Sequence, residues 1–250
     1  MSILVLLFGI ISYVIGIGGL TYFILYIGAW EFLPIHINSG EAGSVVSAVV
    51  INLGLMVLFG LQHTVTARPK FKAAITKVLP VAAERSSYVL LSGIMMFLIC
   101  LYWQPVEGIV WQAASSWLQT TLIGLYVLGW VICVGSSFLI NHFELFGLQQ
   151  VYLNLRPSTA ARDTFTERGL YRLVRHPIQL GVLIGIWFTP TMTMTHLMLA
   201  VTMTIYIFIG LYFEEKDLMN GLGSEYEDYR RRVRKLLPLP VRKSGREKPL

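Results

Sequence analysis

The sequence predicts an all-α, polytopic integral membrane helical bundle of about five spans, the last forming a helical hairpin, with a cytoplasmic helix at the C-terminal end. Three observations lead there. Of 250 residues, 55% are hydrophobic and only 14% charged, against about 25% charged in ordinary soluble proteins, and mean hydropathy is +0.63. The apolar residues gather in runs near the roughly 20 that cross a bilayer core. All 20 Lys and Arg fall in three stretches, Arg68 to Arg85, Arg156 to Arg175 and Lys216 to Lys248, whereas the joins between them hold only acids, Glu31 and Glu41 in one and Glu107 in the other. Bases alternating across short loops in this way follow the positive-inside rule. The net charge of +6 is therefore a sum over one membrane face, and nucleic acid is not an expected partner.

The first apolar run, about residues 3 to 29, lacks the basic start and small-residue cleavage site of a secretory signal and reads as a retained helix. The second, Val45 to Leu61, is followed by His63, Arg68, Lys70 and Lys72, which puts its end in the cytoplasm. The third, Tyr88 to Trp103, stops at an aromatic and Pro105. Between Gln104 and Trp117 the mixed, Trp-bearing segment suits the outer headgroup level. A fourth run, Leu118 to Ile140, returns to the cytoplasm, where Asn141 to Arg175 forms the longest polar stretch. The last block, Ile178 to Phe213, is too long for one span and is split by Thr189-Pro190-Thr191 into a hairpin with a short first arm. Two parts follow: residues 1–141 as N-terminal transmembrane helices, and residues 142–250 as loop, hairpin and tail. Cys100 and Cys133 lie in separate apolar runs and offer neither a disulfide framework nor a zinc pair.

If the three basic stretches share one face, their polar residues converge there. In Arg175-His176-Pro177, the proline suits a first helical position, so Arg175 and His176 stand at a helix mouth where free amides and the dipole favour an anion. Glu214-Glu215 closes the second hairpin arm, followed by Gly223, Tyr226 and Tyr229. A carboxylate there, near a cationic helix start, suits an ammonium or sulfonium group; adjacent acids point apart on a helix, so one of the pair faces the pocket.

These motifs resemble the integral membrane methyltransferases that include isoprenylcysteine carboxyl methyltransferase and phosphatidylethanolamine N-methyltransferase. Those enzymes share Arg-His-Pro before a membrane hairpin, Glu-Glu after it and Gly-x-x-Tyr-x-x-Tyr in the tail. The resemblance spans about residues 166 to 238, with Gln179 standing where many relatives have Tyr. It implies S-adenosyl-L-methionine held by Arg175, His176, Tyr212, Glu214, Glu215, Tyr226 and Tyr229 on the cytoplasmic side of a bacterial inner membrane. Gln62-His63-Thr64, Ala67 to Lys72 and Asn141 to Gln150 are similar to the bacterial methanethiol S-methyltransferase branch, which implies a small apolar thiol as acceptor and dimethyl sulfide as product. Because a thiolate is the nucleophile, a base is expected, and His63, His142 and Glu144 are the candidates at the ends of spans. His142-x-Glu144 looks like a metal-ligand fragment without its remaining ligands, and no metal is assigned. A lipid or isoprenylcysteine-like acceptor, a membrane reductase with a nicotinamide cofactor, and a transporter are the alternatives. Charge-poor spans argue against a transport path, and the Arg230 to Lys235 cluster reads as an anchor on lipid headgroups.

Overall fold

The computed structural model describes residues 2–156 and 167–238. Five helices in it are long and apolar enough to cross a membrane. In chain order these are α1 (Ser2–Ile27), α2 (Val45–Thr66), α4 (Glu84–Tyr102, entered through a 3-10 turn), α5 (Ser116–Ile140) and α9 (Met194–Leu222). Shorter helices lie between and after them: α3 (Pro69–Ile75), α6 (His142–Leu145), α7 (Leu148–Leu155), α8 (Pro177–Trp187) and α10 (Ser224–Arg232). The described bases cluster at one set of helix ends, here called the basic face. The polar stretch over residues 157–166 and the tail bases beyond residue 238 lie outside the described residues.

Small residues let the helices approach, as is usual where lipid offers no hydrophobic drive between spans. A Cβ on Gly19 of α1 would lie 2.5 Å from the carbonyl oxygen of Gly93 on α4, and one on Gly129 of α5 would lie 2.6 Å from the amide of Gly185 on α8. Two helix pairs, α1 with α4 and α5 with α8, thus meet backbone to backbone. Val151 of α7, fully buried, sits against Gly9 of α1, so the segment after α5 folds back into the bundle.

Two strands depart from the all-helical expectation and have a physical reason. Helix α8 has 11 residues and rises only about 16 Å, half of a bilayer core of about 30 Å. Beyond α8 the chain turns extended, and extended backbone cannot satisfy its own polar groups. Strand β2 (Thr191–Thr193) therefore pairs antiparallel with β1 (Ile109–Gln112) from the α4–α5 connection. The segment expected at the outer headgroup level is thus also the partner of the hairpin apex. On the same face Asn52, buried in α2, exchanges two hydrogen bonds with the backbone of Gln104, its Nδ2 donating at 2.8 Å and its Oδ1 accepting at 2.7 Å.

Candidate functional site

At the basic face the tail returns to the start of α8. The Arg175 amide donates to the Arg234 carbonyl (2.8 Å) and the His176 amide to the Lys235 carbonyl (3.1 Å), a short parallel bridge that seats residues 234–235 beside the Arg175-His176 pair. Tyr226 and Tyr229 of α10, 1% and 2% exposed, pack with Val233 against Leu218, Met219 and Leu222. The Tyr229 hydroxyl donates to the Tyr171 carbonyl at 2.6 Å. The two tyrosines thus lock α10 to the approach of α8, and burial pushes the Tyr226 phenol up to about 12, with the Glu215 charge adding to the shift.

Glu215 is the centre of this arrangement and is 8% exposed. Its Oε1 accepts from Arg175 Nε (2.9 Å) and Nη2 (2.6 Å) and from His176 Nε2 (3.2 Å), while its Oε2 faces Lys235 Nζ at 3.1 Å. Arg175 also donates through Nη1 to the Val233 carbonyl. One buried carboxylate thus meets two permanent cations. His176 does not add a third near neutrality, because burial lowers its pKa to about 4, beyond what the Glu215 hydrogen bond restores. The tail cluster is accordingly more than a headgroup anchor: Lys235 faces inward, Arg231 pairs with Glu227 (2.8 Å) and Arg232 with Glu167 (2.9 Å).

The neighbouring Glu214 behaves differently. About half of its side chain, 47%, is accessible, with its Oε2 3.7 Å from His176 Nδ1, and it accepts from Gln179 Nε2 at 3.2 Å. The two adjacent acids thus sit in different settings: Glu215 is buried among cations, and Glu214 keeps an accessible side chain. Tyr212, in contrast, is 63% exposed and its ring meets Phe213; the structure leaves it outside the cluster.

His63 lies on α2, packed against α4 and α9. Its Nε2 is 2.5 Å from the Tyr88 hydroxyl and its Nδ1 3.0 Å from Ser92 Oγ, both on α4. Its ring stacks on Phe59 and lies 6.2 Å from Tyr206 of α9. The Arg85 guanidinium covers the Tyr88 ring at 4.7 Å, and its Nε donates to the Leu145 carbonyl at 2.7 Å. His142 lies elsewhere, between α1 and α5, with Nε2 2.9 Å from the Tyr13 hydroxyl and Nδ1 2.8 Å from Ser137 Oγ. Burial lowers its pKa. Glu144 accepts from Asn141 Nδ2 at 3.1 Å, and its amide is capped by Asn141 Oδ1. The structure therefore brings Arg175, His176, Glu214, Glu215 and Tyr226 together, with Tyr229 bracing them, and sets His63 among α2, α4 and α9 and His142 and Glu144 in the packing of α6.

Sequence reasoning missed Tyr88, Tyr206 and Lys235. The first two read as span aromatics; for Lys235 the only signal is its position just before the Leu236-Leu237-Pro238 stop.

Fold and site together define a helical integral membrane enzyme with a charge cluster at the ends of its spans. The chain belongs to the methanethiol S-methyltransferase family. It is 42% identical over 236 residues to methanethiol S-methyltransferase 2 of Bradyrhizobium diazoefficiens, covering 94% of this chain and 90% of that one. It is 41% identical to methanethiol S-methyltransferase of Mycobacterium tuberculosis, covering 96% and 98%. Nurim of Homo sapiens is more distant, 28% identical over 70% of each chain. No protein-family model matches the chain, and no solved structure does.

Proposed function

We propose that the protein transfers a methyl group from S-adenosyl-L-methionine to methanethiol, yielding dimethyl sulfide, on the cytoplasmic side of a bacterial inner membrane. The observation that carries this reading is the charge cluster of both signs at the ends of the spans, with Glu215 between Arg175 and Lys235. The donor's amino-acid end carries a carboxylate and an ammonium. Arg175 and Lys235 match the first, and Glu214 and Glu215 the second, so the residues present fit it. Residues 142–250 then form the donor-binding core against the spans of residues 1–141. When bound, the donor supplies an electrophilic sulfonium methyl group.

The chain's own residues do the rest. Arg175, His176 and Glu215 fix one end of the pocket, with Tyr226 and Tyr229 holding the tail over it. Alignment of the reactants is worth roughly 7–11 kcal/mol in favourable cases. His63 is the base on which the charge of the thiol's lost proton comes to rest, while His142 and Glu144 hold the α6 segment that pins Arg85. An apolar groove of about 720 Å³ along α8 and α9, lined by Leu180, Leu183, Trp187 and Phe208 and ending at Arg234 and Lys235, suits a membrane lipid with an anionic head.

The test is to incubate purified protein with labelled S-adenosyl-L-methionine and a panel of small thiols and to identify volatile products. Labelled dimethyl sulfide is expected. Methylation of none of the thiols, or thermal stabilisation by a nicotinamide cofactor and not by the methyl donor, would sink the proposal.

A further inference from the structure

Two hydrogen bonds fix which nitrogen of His63 carries its proton. Ser92 Oγ donates to the Tyr88 carbonyl at 2.9 Å, and a hydroxyl has only one proton to give. The same oxygen lies 3.0 Å from His63 Nδ1, where it can only accept, so in the neutral ring Nδ1 bears the hydrogen. The lone pair is left on Nε2, which receives the Tyr88 hydroxyl. A base oriented by a third group and aimed at an O–H is the arrangement that activates a nucleophile or relays a proton.

One neighbour offsets a transient negative charge on that hydroxyl. The Arg85 guanidinium lies over the Tyr88 ring and is itself held by the Leu145 carbonyl. From α9, Tyr206 faces the histidine; from α2, Phe59 stacks on the imidazole. Tyr88 and His63 are each partly accessible, so a small molecule can approach the pair.

We propose that Tyr88 is a catalytic residue that takes the acceptor's proton while handing its own to His63; this rests on the thiol methylation proposed above. The thiol S–H bond breaks as its proton passes to the Tyr88 oxygen, and the Tyr88 O–H proton passes to His63 Nε2. The freed sulfur pair forms the new bond to the methyl carbon. The old carbon–sulfur bond breaks with its pair left on the departing sulfur, which becomes a neutral thioether. The positive charge that leaves the sulfonium reappears on the His63 imidazolium, which returns its proton to water.

Two measurements on the full-length purified protein test this. In the donor-free protein labelled with 15N-histidine, His63 should show a protonated Nδ1 and an unprotonated, hydrogen-bonded Nε2, and Tyr88→Phe should shift the Nε2 signal. In turnover, Tyr88→Phe should lower kcat for methanethiol about 100-fold, at the low end of general acid–base effects, with donor Kd unchanged. The loss should shrink below about tenfold for trifluoroethanethiol, whose acidity supplies thiolate without help. A protonated Nε2, an equal loss with both thiols, or no loss with either would overturn the relay. No methylation by the wild type would overturn the thiol reading itself. Should Tyr88→Phe not fold, Ser92→Ala takes its place. It frees the ring to change tautomer, and the same selective loss for methanethiol is expected, with an unchanged histidine spectrum overturning the proposal.

Discussion

Tyr88–His63–Ser92 and Tyr13–His142–Ser137 are built alike and surrounded differently. In each, the serine hydroxyl donates to a backbone carbonyl, Tyr88 in one case and Val134 in the other, so the histidine Nδ1 must donate to the serine and Nε2 must accept from a tyrosine. Around His142 stand aromatic rings: Phe138 is parallel to it at 4.0 Å and Phe146 lies at 4.7 Å, and the ring is 6% exposed. Around His63 stand Tyr88, Ser92, Phe59 and Tyr206, with Arg85 over the Tyr88 ring, and the residue is partly accessible. In the mechanism proposed above, one hydrogen-bonding device thus serves packing where aromatics close it off and chemistry where charge and access remain. Donor and acceptor geometry alone does not separate the two uses; burial and neighbouring charge do.

Removing the buried carboxylate at the centre of the charge cluster has the largest expected effect. Glu215→Ala strips the partner from Arg175 and Lys235 and leaves a buried guanidinium uncompensated, a loss of about 3–5 kcal/mol in comparable cases. Thermal unfolding in detergent should show a marked drop in Tm, and calorimetric titration should show donor affinity falling more than 100-fold. Unchanged affinity in a folded variant would detach the cluster from the donor.

A smaller effect is expected on the other side. Tyr13→Phe leaves His142 Nε2 without its donor at a cost of about 1–3 kcal/mol, read as a lower Tm, while kcat of the folded protein stays near wild type. A fall in kcat beyond tenfold would erase the contrast between the two histidines.

The smallest effect comes through pH. His176 is held neutral by burial, with its pKa lowered to about 4 against about 6.5 for an unperturbed histidine. The unfolded chain therefore binds the proton more readily. The contribution is fully present above about 6.5 and is lost as pH falls toward 4, on the order of 1–2 kcal/mol between pH 7 and pH 5. His142, lowered in the same direction, adds to the slope. Tm measured from pH 7 to pH 5 should fall, and His176→Gln should flatten the fall; a Tm that rises over that range would contradict the assignment.

Much of this was legible in the sequence for physical reasons that operate locally. The five spans follow from hydropathy, and their common basic face follows from where Lys and Arg stand. Arg175, His176 and Glu215 stood out because charges at the ends of apolar runs are conspicuous. Tyr88 was not legible: inside an apolar run it looks like any interfacial aromatic, and its role comes from a histidine 25 residues away on another helix. The β1–β2 pair was hidden for a related reason. Thr191-Met192-Thr193 carries little strand signal of its own, and its partner is supplied by the distant α4–α5 connection. Lys235 was misjudged because a run of bases looks solvated until the backbone bridge at Val174 and Arg234 turns one of them inward.

The central claim is that the His63 side performs chemistry and the His142 side holds structure. Single-turnover methylation of methanethiol, measured in donor-saturated His63→Gln and His142→Gln after confirming that each is folded, tests it most directly. A loss of about 100-fold or more in the first, with the second within tenfold of wild type and lower in Tm, is the predicted result; the reverse pattern, or equal losses in both, would contradict it.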